Sequence, residues 1–223
     1  MTLHLLSDLL QGSDEWHDQR RGIVTASVVG KLLTPTLKVA NNDVSRGLTA
    51  TLAAERITGW TEETAMTPDM WRGVNFEPFA RQKYAEHYGT VTEVGFMLRE
   101  EENWRLGFSP DGLVGDAGLI EIKCPRAKTH VNTILTDEVP AQYMPQCQAG
   151  LLVSGRAWID FVSYVSGLPL YRKRVTPDAA WFDAITAACI EFETNAARIV
   201  ADYETRVADL PQTERIDFEI KVA

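Results

Sequence analysis

Only three of the 223 residues are cysteines, at positions 124, 147 and 189. So scattered, and with no C-x-x-C, they exclude a disulfide framework, a zinc finger and a cysteine-ligated iron–sulfur cluster. The chain lacks any apolar run near the ~18 residues that a membrane span needs. Its N-terminus lacks the basic flank of a secretory signal. No repeat, low-complexity tract or Pro/Gly-rich linker divides it. Positive charge is also short: 22 Lys and Arg stand against 31 Asp and Glu, a net charge of −9. Taken alone, that deficit argues against nucleic acid as a ligand. The rest is ordinary globular composition, 45% hydrophobic and 24% charged, in a chain long enough to bury a core without staples. A soluble cytoplasmic protein of one domain is the expectation.

The net charge hides its own distribution. Residues 48–105 carry ten acids and six bases, and residues 176–223 carry ten acids and four bases. The segments 1–47 and 106–130 are each neutral. A ligand meets local potential, because salt screens charges beyond about 8 Å at physiological ionic strength. An acidic chain can therefore still hold a basic groove.

Patterning predicts helices first, then strands. Ser13 caps a short helix with Asp14 and Glu15 in its first turn, stopped by Gly22. Thr25 reads as a second N-cap, opening a helix through Leu33. Residues 35–47 read as a loop. Helices follow from Leu48 to Thr58, closed by Gly59, and from Thr67-Pro68 to about His87, closed by Gly89. Strands are expected at Val91–Leu98, Trp104–Phe108 and Leu119–Cys124. Helical segments come next, near 127–136 and 140–153. Trp158–Val165 and Leu170–Val175 read as a hairpin. Pro177 begins a long amphipathic helix to about Val207, and Ile216–Val222 has strand character. The order implies an α/β or α+β fold with a mixed sheet.

The chemistry lies in S-P-D-G-L, residues 109–113, and L-I-E-I-K-C-P, residues 119–125. Alternate residues of a strand share a face, so Leu119, Glu121 and Lys123 point one way and Ile120, Ile122 and Cys124 the other. Burying either charge alone costs several kcal/mol, so a partner or a metal is expected. A hairpin through Gly115 and Gly118 brings Asp111 back towards Glu121. Two hard carboxylates at one spot suit Mg²⁺, with Mn²⁺ as a substitute. An adjacent lysine can hold a water or stabilise developing charge, which is what phosphodiester hydrolysis requires. The alternative is a buried Glu–Lys ion pair with an unrelated turn aspartate.

These residues resemble the PD-(D/E)XK nuclease motif, with Pro110-Asp111 as its first letters. The likeness extends to the lambda-exonuclease and YqaJ-type viral recombinase family. It rests on four ordered blocks: residues 11–27 (Q-G-S-D-E-W-H-D-Q-R-R-G-I-V-T-A-S), S-P-D-G-L, E-I-K-C-P, and Y-M-P-Q-C-Q at 143–148. It spans about 11–175, leaving 177–223 as a C-terminal helix and tail of one nuclease domain, 1–223. The resemblance implies a restriction-endonuclease-like core, with a central mixed β-sheet flanked by helices. It implies a 5′→3′ exonuclease on double-stranded DNA ends that leaves 3′ overhangs for recombination by strand annealing. A homotrimeric ring, a single-strand annealing partner, a phage or prophage origin and action in the bacterial cytoplasm belong to the same implication.

Carried onto this chain, the resemblance makes Asp111, Glu121, Glu77 and the backbone oxygen of Ile122 metal ligands, and Lys123 the catalytic lysine. It makes Arg20, Ser27, Ser109 and Gln148 the holders of a 5′ phosphate. Gln146 is the rival to Gln148, two positions away on one helix. Ser27, in the first turn of the helix expected after Thr25, would offer free N–H groups to an anion. Trp16, four positions before Arg20, either stacks on a terminal base or packs in the core. Met70 falls where the family places an apolar wedge. Arg172, Lys173 and Arg174 either line a groove or form a solvated strand edge. Two rival functions remain: another PD-(D/E)XK nuclease (an endonuclease or RecB-like enzyme), and a non-catalytic protein that binds DNA ends.

Overall fold

Two sheets and the helices on their faces carry the architecture. The computed structural model describes residues 2–62 and 65–216. In chain order come β1 (Thr2–Leu6), α1 (Asp14–Arg20), a 3-10 turn (Val29–Leu32), α2 (Asp43–Thr58) and α3 (Pro68–Tyr88). Then follow β2 (Val91–Thr92), β3 (Phe96–Glu100), β4 (Arg105–Phe108), β5 (Gly112–Val114) and β6 (Gly118–Lys123). The chain ends with α4 (Ala127–Thr136), α5 (Met144–Ser154), β7 (Trp158–Ser163), β8 (Tyr171–Val175) and α6 (Ala179–Val207). The larger sheet has the order β2-β5-β6-β7-β8 and is mixed, β6 and β7 being parallel and the other pairs antiparallel. The smaller sheet, β1-β3-β4, is antiparallel. This is the mixed sheet flanked by helices that the sequence implies.

The helix starts follow from local chemistry. The Ser13 hydroxyl accepts from Trp16 N, and Thr67 caps α3 with Pro68 in its first turn. Asp178 caps α6. Asn42 and Ser45 form a reciprocal capping box, so α2 begins at Asp43, five residues before the expected Leu48, and takes the end of the 35–47 loop into the helix.

Two other expectations are corrected. The helix expected from Thr25 to Leu33 is replaced by a turn and the 3-10 segment. Backbone pairing captures its start: Gly107 N donates to Val24 O (2.9 Å) and Ala26 N donates to Gly107 O (2.8 Å). The strand expected over Val91–Leu98 is two strands in different sheets, β2 and β3. The break falls at Gly95, where a Cβ would lie 1.9 Å from Leu9 O. Strands β1 and β5, too short or too near the terminus to show a pattern, are additional. Of the expected Ile216–Val222 strand, only Ile216 lies within the described residues.

The larger sheet is buried on both faces. On one, Leu119, Ile159 and Phe161 join Leu151 and Val153 of α5 and Ile185 and Phe192 of α6. On the other, Ile120, Ile122, Cys124 and Val162 pack under Ala80 and Tyr84 of α3. Each large apolar side chain so buried contributes about 1.5–3 kcal/mol. A one-residue slip of β6 would push Glu121 into the α3 core, so the apolar faces fix which way that carboxylate points. No helix among the described residues is long and apolar enough to cross a membrane.

The basic run on β8 is largely neutralised from within the fold. Arg172 and Arg174 both pair with Asp160 of β7, which is fully buried and also accepts from Tyr84 Oη at 2.7 Å. Lys173 pairs with Asp137. Replacing Asp160 by alanine leaves two guanidinium groups and a buried phenol without their acceptor. Because both arginines are partly exposed, the Asp160→Ala cost should fall at about 2–4 kcal/mol. Denaturant unfolding measures it, and a loss below about 1 kcal/mol would deny the network its role in holding β7, β8 and α3 together.

Candidate active site

The S-P-D-G bend and the β5–β6 hairpin bring the two key acids together. Gly112 pairs with Ile120, and Asp111 Oδ2 accepts from Ile122 N at 2.5 Å. A Cβ at Gly112 would stand 2.1 Å from Val91 Cγ1, so a larger residue would have to displace the β2 side chain packed against this hairpin. Arg156 closes the far end of the hairpin by donating to Gly115 O (2.7 Å) and Gly118 O (2.8 Å).

Glu121 and Lys123 share a face of β6 and form an ion pair of 2.6 Å. The Glu121 carboxylate is almost fully buried, and only one of its oxygens meets Lys123. Among the described residues, its Oε2 is buried with no hydrogen-bond partner. Such an atom costs folding free energy unless something satisfies it. Glu77 projects from α3 and pairs with Arg81 one turn on. Lys123 Nζ lies 5.5 Å from the centre of the Tyr143 ring. Glu77, Asp111, Glu121, Ile122 and Lys123 line one cleft of about 560 Å³ beyond the carboxyl end of β6.

Electrostatics follow the burial. Desolvation, reinforced by Asp111, raises Glu77 to about 7. Desolvation raises Glu121 to about 8 against the pull of Lys123, with Asp111 adding repulsion. Asp111 is also raised, by burial, against Lys123 and the Ile122 N–H. Burial works to lower Lys123, but the Glu121 and Asp111 carboxylates outweigh it and keep the ammonium charged. Burial also pushes the Cys124 thiol up to about 12, which leaves it a protonated, packed side chain.

Among the described residues, no three His, Cys, Asp or Glu side chains converge as a ready-made metal cluster. Mg²⁺ does not require one, because it binds through one or two carboxylates and keeps several waters. Two neighbouring carboxylates, one with an orphaned buried oxygen, fit such an ion.

A second cavity, about 160 Å³, adjoins the first. Arg20, Ser27, Ser109, Trp16 and Gln146 are in its wall. Ser109 Oγ accepts from Arg20 (3.0 Å) and from Trp16 Nε1 (2.9 Å). The guanidinium sits 3.9 Å over the Trp16 ring, so that ring packs against Arg20 at the cavity rather than in the core. No acid lies within ion-pair distance of Arg20 among the described residues. Burial lowers it to about 10, which leaves it charged at neutral pH.

Two expectations about this cavity change. Gln148 is not in it: its amide is buried, donating to Thr176 O (3.0 Å) and accepting from Asp178 N (3.1 Å). Two residues turn a helix by about 200°, so Gln146 faces the cavity while Gln148 faces the β8–α6 connection. Ser27 lines the cavity from a tight turn, hydrogen-bonded to Thr25 (3.1 Å), so no helix dipole acts there. Gln146 lines both cavities. Met70 lies exposed along the cleft, with Val74 one turn on. Sequence reasoning passed over Tyr143 and Arg81, although one lies inside the Y-M-P-Q-C-Q block and the other four residues after Glu77.

The fold, a mixed sheet flanked by helices, is that of a nuclease-type α/β core. Residues 15–157 match the model of the YqaJ-like viral recombinase domain, and the chain belongs to that family. A crystal structure of an alkaline exonuclease, LHK-Exo from Laribacter hongkongensis, is similar at 36% identity and a TM-score of 0.79, covering 89% of this chain and 100% of that one. The same enzyme in complex with dAMP matches equally well. A phage-related exonuclease from Haemophilus somnus 129PT shares the fold at 15% identity and a TM-score of 0.62, over 81% of this chain and 96% of that one. No match was found among the curated proteins.

The raised carboxylates set a pH dependence. Folded Glu77 and Glu121 hold protons that the unfolded chain, with glutamates near 4.5, has released. The folded state then binds more protons, so metal-free stability should fall as pH rises from about 4.5 to about 8. Saturating Mg²⁺ should flatten that slope. Thermal melts with chelator and with Mg²⁺ across this range check it, and a metal-free melting temperature that climbs with pH would contradict it.

Proposed function

We propose that this chain is a Mg²⁺-dependent exonuclease that degrades one strand of double-stranded DNA from its 5′ end, leaving 3′ overhangs for recombination by strand annealing. The observation that carries the reading is the pair of adjoining cavities with Gln146 in the wall of both. One presents carboxylates and a lysine; the other presents an arginine with no acid in ion-pair contact among the described residues. A guanidinium forks onto phosphate oxygens, and a hydroxyl beside it adds a further polar partner. A DNA end held by its phosphate at Arg20, Ser27, Ser109 and Gln146 therefore has its neighbouring linkage near Glu121 and Lys123. The dAMP complex of LHK-Exo supports a nucleotide site in this fold.

Asp111, Glu121, the Ile122 carbonyl and Glu77 would hold Mg²⁺, or Mn²⁺ in its place. The ion supplies a water acidified for attack and charge stabilisation at a phosphoryl oxygen. Lys123, kept charged by its two carboxylates, orients the attacking water and offsets charge on the phosphate. Glu121 holds Lys123 in place through the 2.6 Å pair. Arg20 and Ser109 fix the end so that one linkage at a time is presented. Met70, exposed on the cleft rim, is the candidate apolar wedge. The family resemblance adds a homotrimeric ring and a single-strand annealing partner, and light scattering tests the ring first.

Lys123→Ala should lower nucleotide release from linear DNA by at least about 10²-fold while leaving end binding intact. Near-normal release by this variant refutes the mechanism. Arg20→Ala should slow cutting of 5′-phosphorylated ends more than of ends without the phosphate, and equal losses remove Arg20 from the phosphate pocket. A covalently closed circular plasmid should survive intact; its cleavage favours an endonuclease.

A further inference from the structure

Arg81 lies one turn beyond Glu77 on α3, only 15% exposed, and its guanidinium reaches three ways. Its Nε donates to the backbone oxygen of Asp111 at 2.8 Å. Its Nη2 pairs with Glu77 Oε1. Its Nη1 pairs with Glu93 Oε2, on the connection between β2 and β3, at 2.8 Å. One rigid cation thus ties α3 to the bend that carries Asp111 and to a loop at the sheet's edge.

The other cleft acids are placed by β6: Asp111 by the Ile122 N–H, Glu121 by its own strand position and Lys123. Glu77 has no such tether among the described residues, and Arg81 is its one hydrogen-bond partner there. An ordinary i,i+4 pair on a helix surface would be exposed and would reach no second element. Here the guanidinium is mostly covered and grips Asp111's backbone as well.

We propose that Arg81 is a positioning residue of the metal cleft. It holds the Glu77 carboxylate and the Asp111 bend at a fixed spacing from Glu121, so that a divalent cation finds its oxygens already arranged, and it does not itself touch the ion. The inference rests on the metal-dependent reading above. A planar guanidinium can satisfy three acceptors in three directions at once, whereas a lysine ammonium on a flexible stem acts as a point donor. Charge alone is therefore not enough, and the fork geometry is what the cleft uses.

Mn²⁺ binding to the full chain, followed by the electron paramagnetic resonance of the free ion, tests this without relying on activity. Arg81→Met should weaken Mn²⁺ binding about 10–100-fold, the usual effect of removing a group that orients ligands. Arg81→Lys keeps the charge but not the fork, and should bind at an affinity between the two. Circular dichroism melts establish that each variant is folded. Mn²⁺ affinity of folded Arg81→Met within about twofold of wild type overturns the proposal, because a purely structural role moves the melt and not the affinity. Should Arg81→Met fail to fold, Arg81→Lys decides: wild-type affinity overturns the proposal, and clear weakening upholds it. A wild-type chain that takes up no Mn²⁺ overturns the metal reading and this inference with it. Normal uptake by wild type and variants alike overturns this inference alone.

Discussion

The cleft depends on one charge pair held on the central strand. Glu121 and Lys123 share a face of β6, and the apolar residues between and beyond them are committed to the opposite core. That commitment prevents the strand from slipping, because Ile120 and Ile122 would leave their places under α3 and Glu121 would be driven into that apolar core. The pair is then trapped in a place where neither member could stand alone. Lys123 satisfies one oxygen of Glu121 and leaves the other bare. A fully satisfied pair would be structural and inert, whereas this one is incomplete and fits a third, positively charged participant.

The same logic separates the arginines into two kinds. Arg56 meets Glu193, Arg81 meets Glu77 and Glu93, and Arg172 and Arg174 meet Asp160. These cations are used up in joining elements. Arg20 differs, because its partners are a hydroxyl and an aromatic ring. Its placement is itself braced. Gly22, just after α1, is held by Glu55 through its N–H (2.7 Å) and by Arg56 through its oxygen (2.7 Å). A net charge of −9 thus says little about the cavity, since these basic side chains are paired elsewhere while Arg20 stays charged at its wall.

The legible features were those fixed within a few residues. The period of two in β6 sorted Glu121 and Lys123 from Ile120 and Ile122, and the Pro-Asp-Gly bend before a short hairpin brought Asp111 to them. Caps at Ser13, Thr67, Gly59 and Gly89 were equally local. What escaped was decided across the chain. Thr25 carries a good cap signal, yet strand pairing with Gly107 takes its backbone. Val91–Leu98 looks continuous, yet the close approach of Leu9 to Gly95 marks its division between sheets. The run 172–174 looks basic, because its neutralising Asp160 is twelve or more residues away.

Gln146 and Gln148 show the limit most plainly, and also why the helix between them matters. Both sit in the first turns of α5, and spacing along the chain cannot tell which faces the cavity. The fold answers through what each can reach: Gln148 turns inward to Thr176 and Asp178, where its amide joins β8 to α6. Cys147 is buried in the core between them. With those two positions committed to packing, Gln146 is the one left facing outward, at the seam of the two cavities. The first turns of α5 therefore brace the scaffold on one side and form the shared wall on the other. A shift of this helix would disturb both cavities together, so the separation between the Arg20 cavity and the carboxylate cleft is set by core packing.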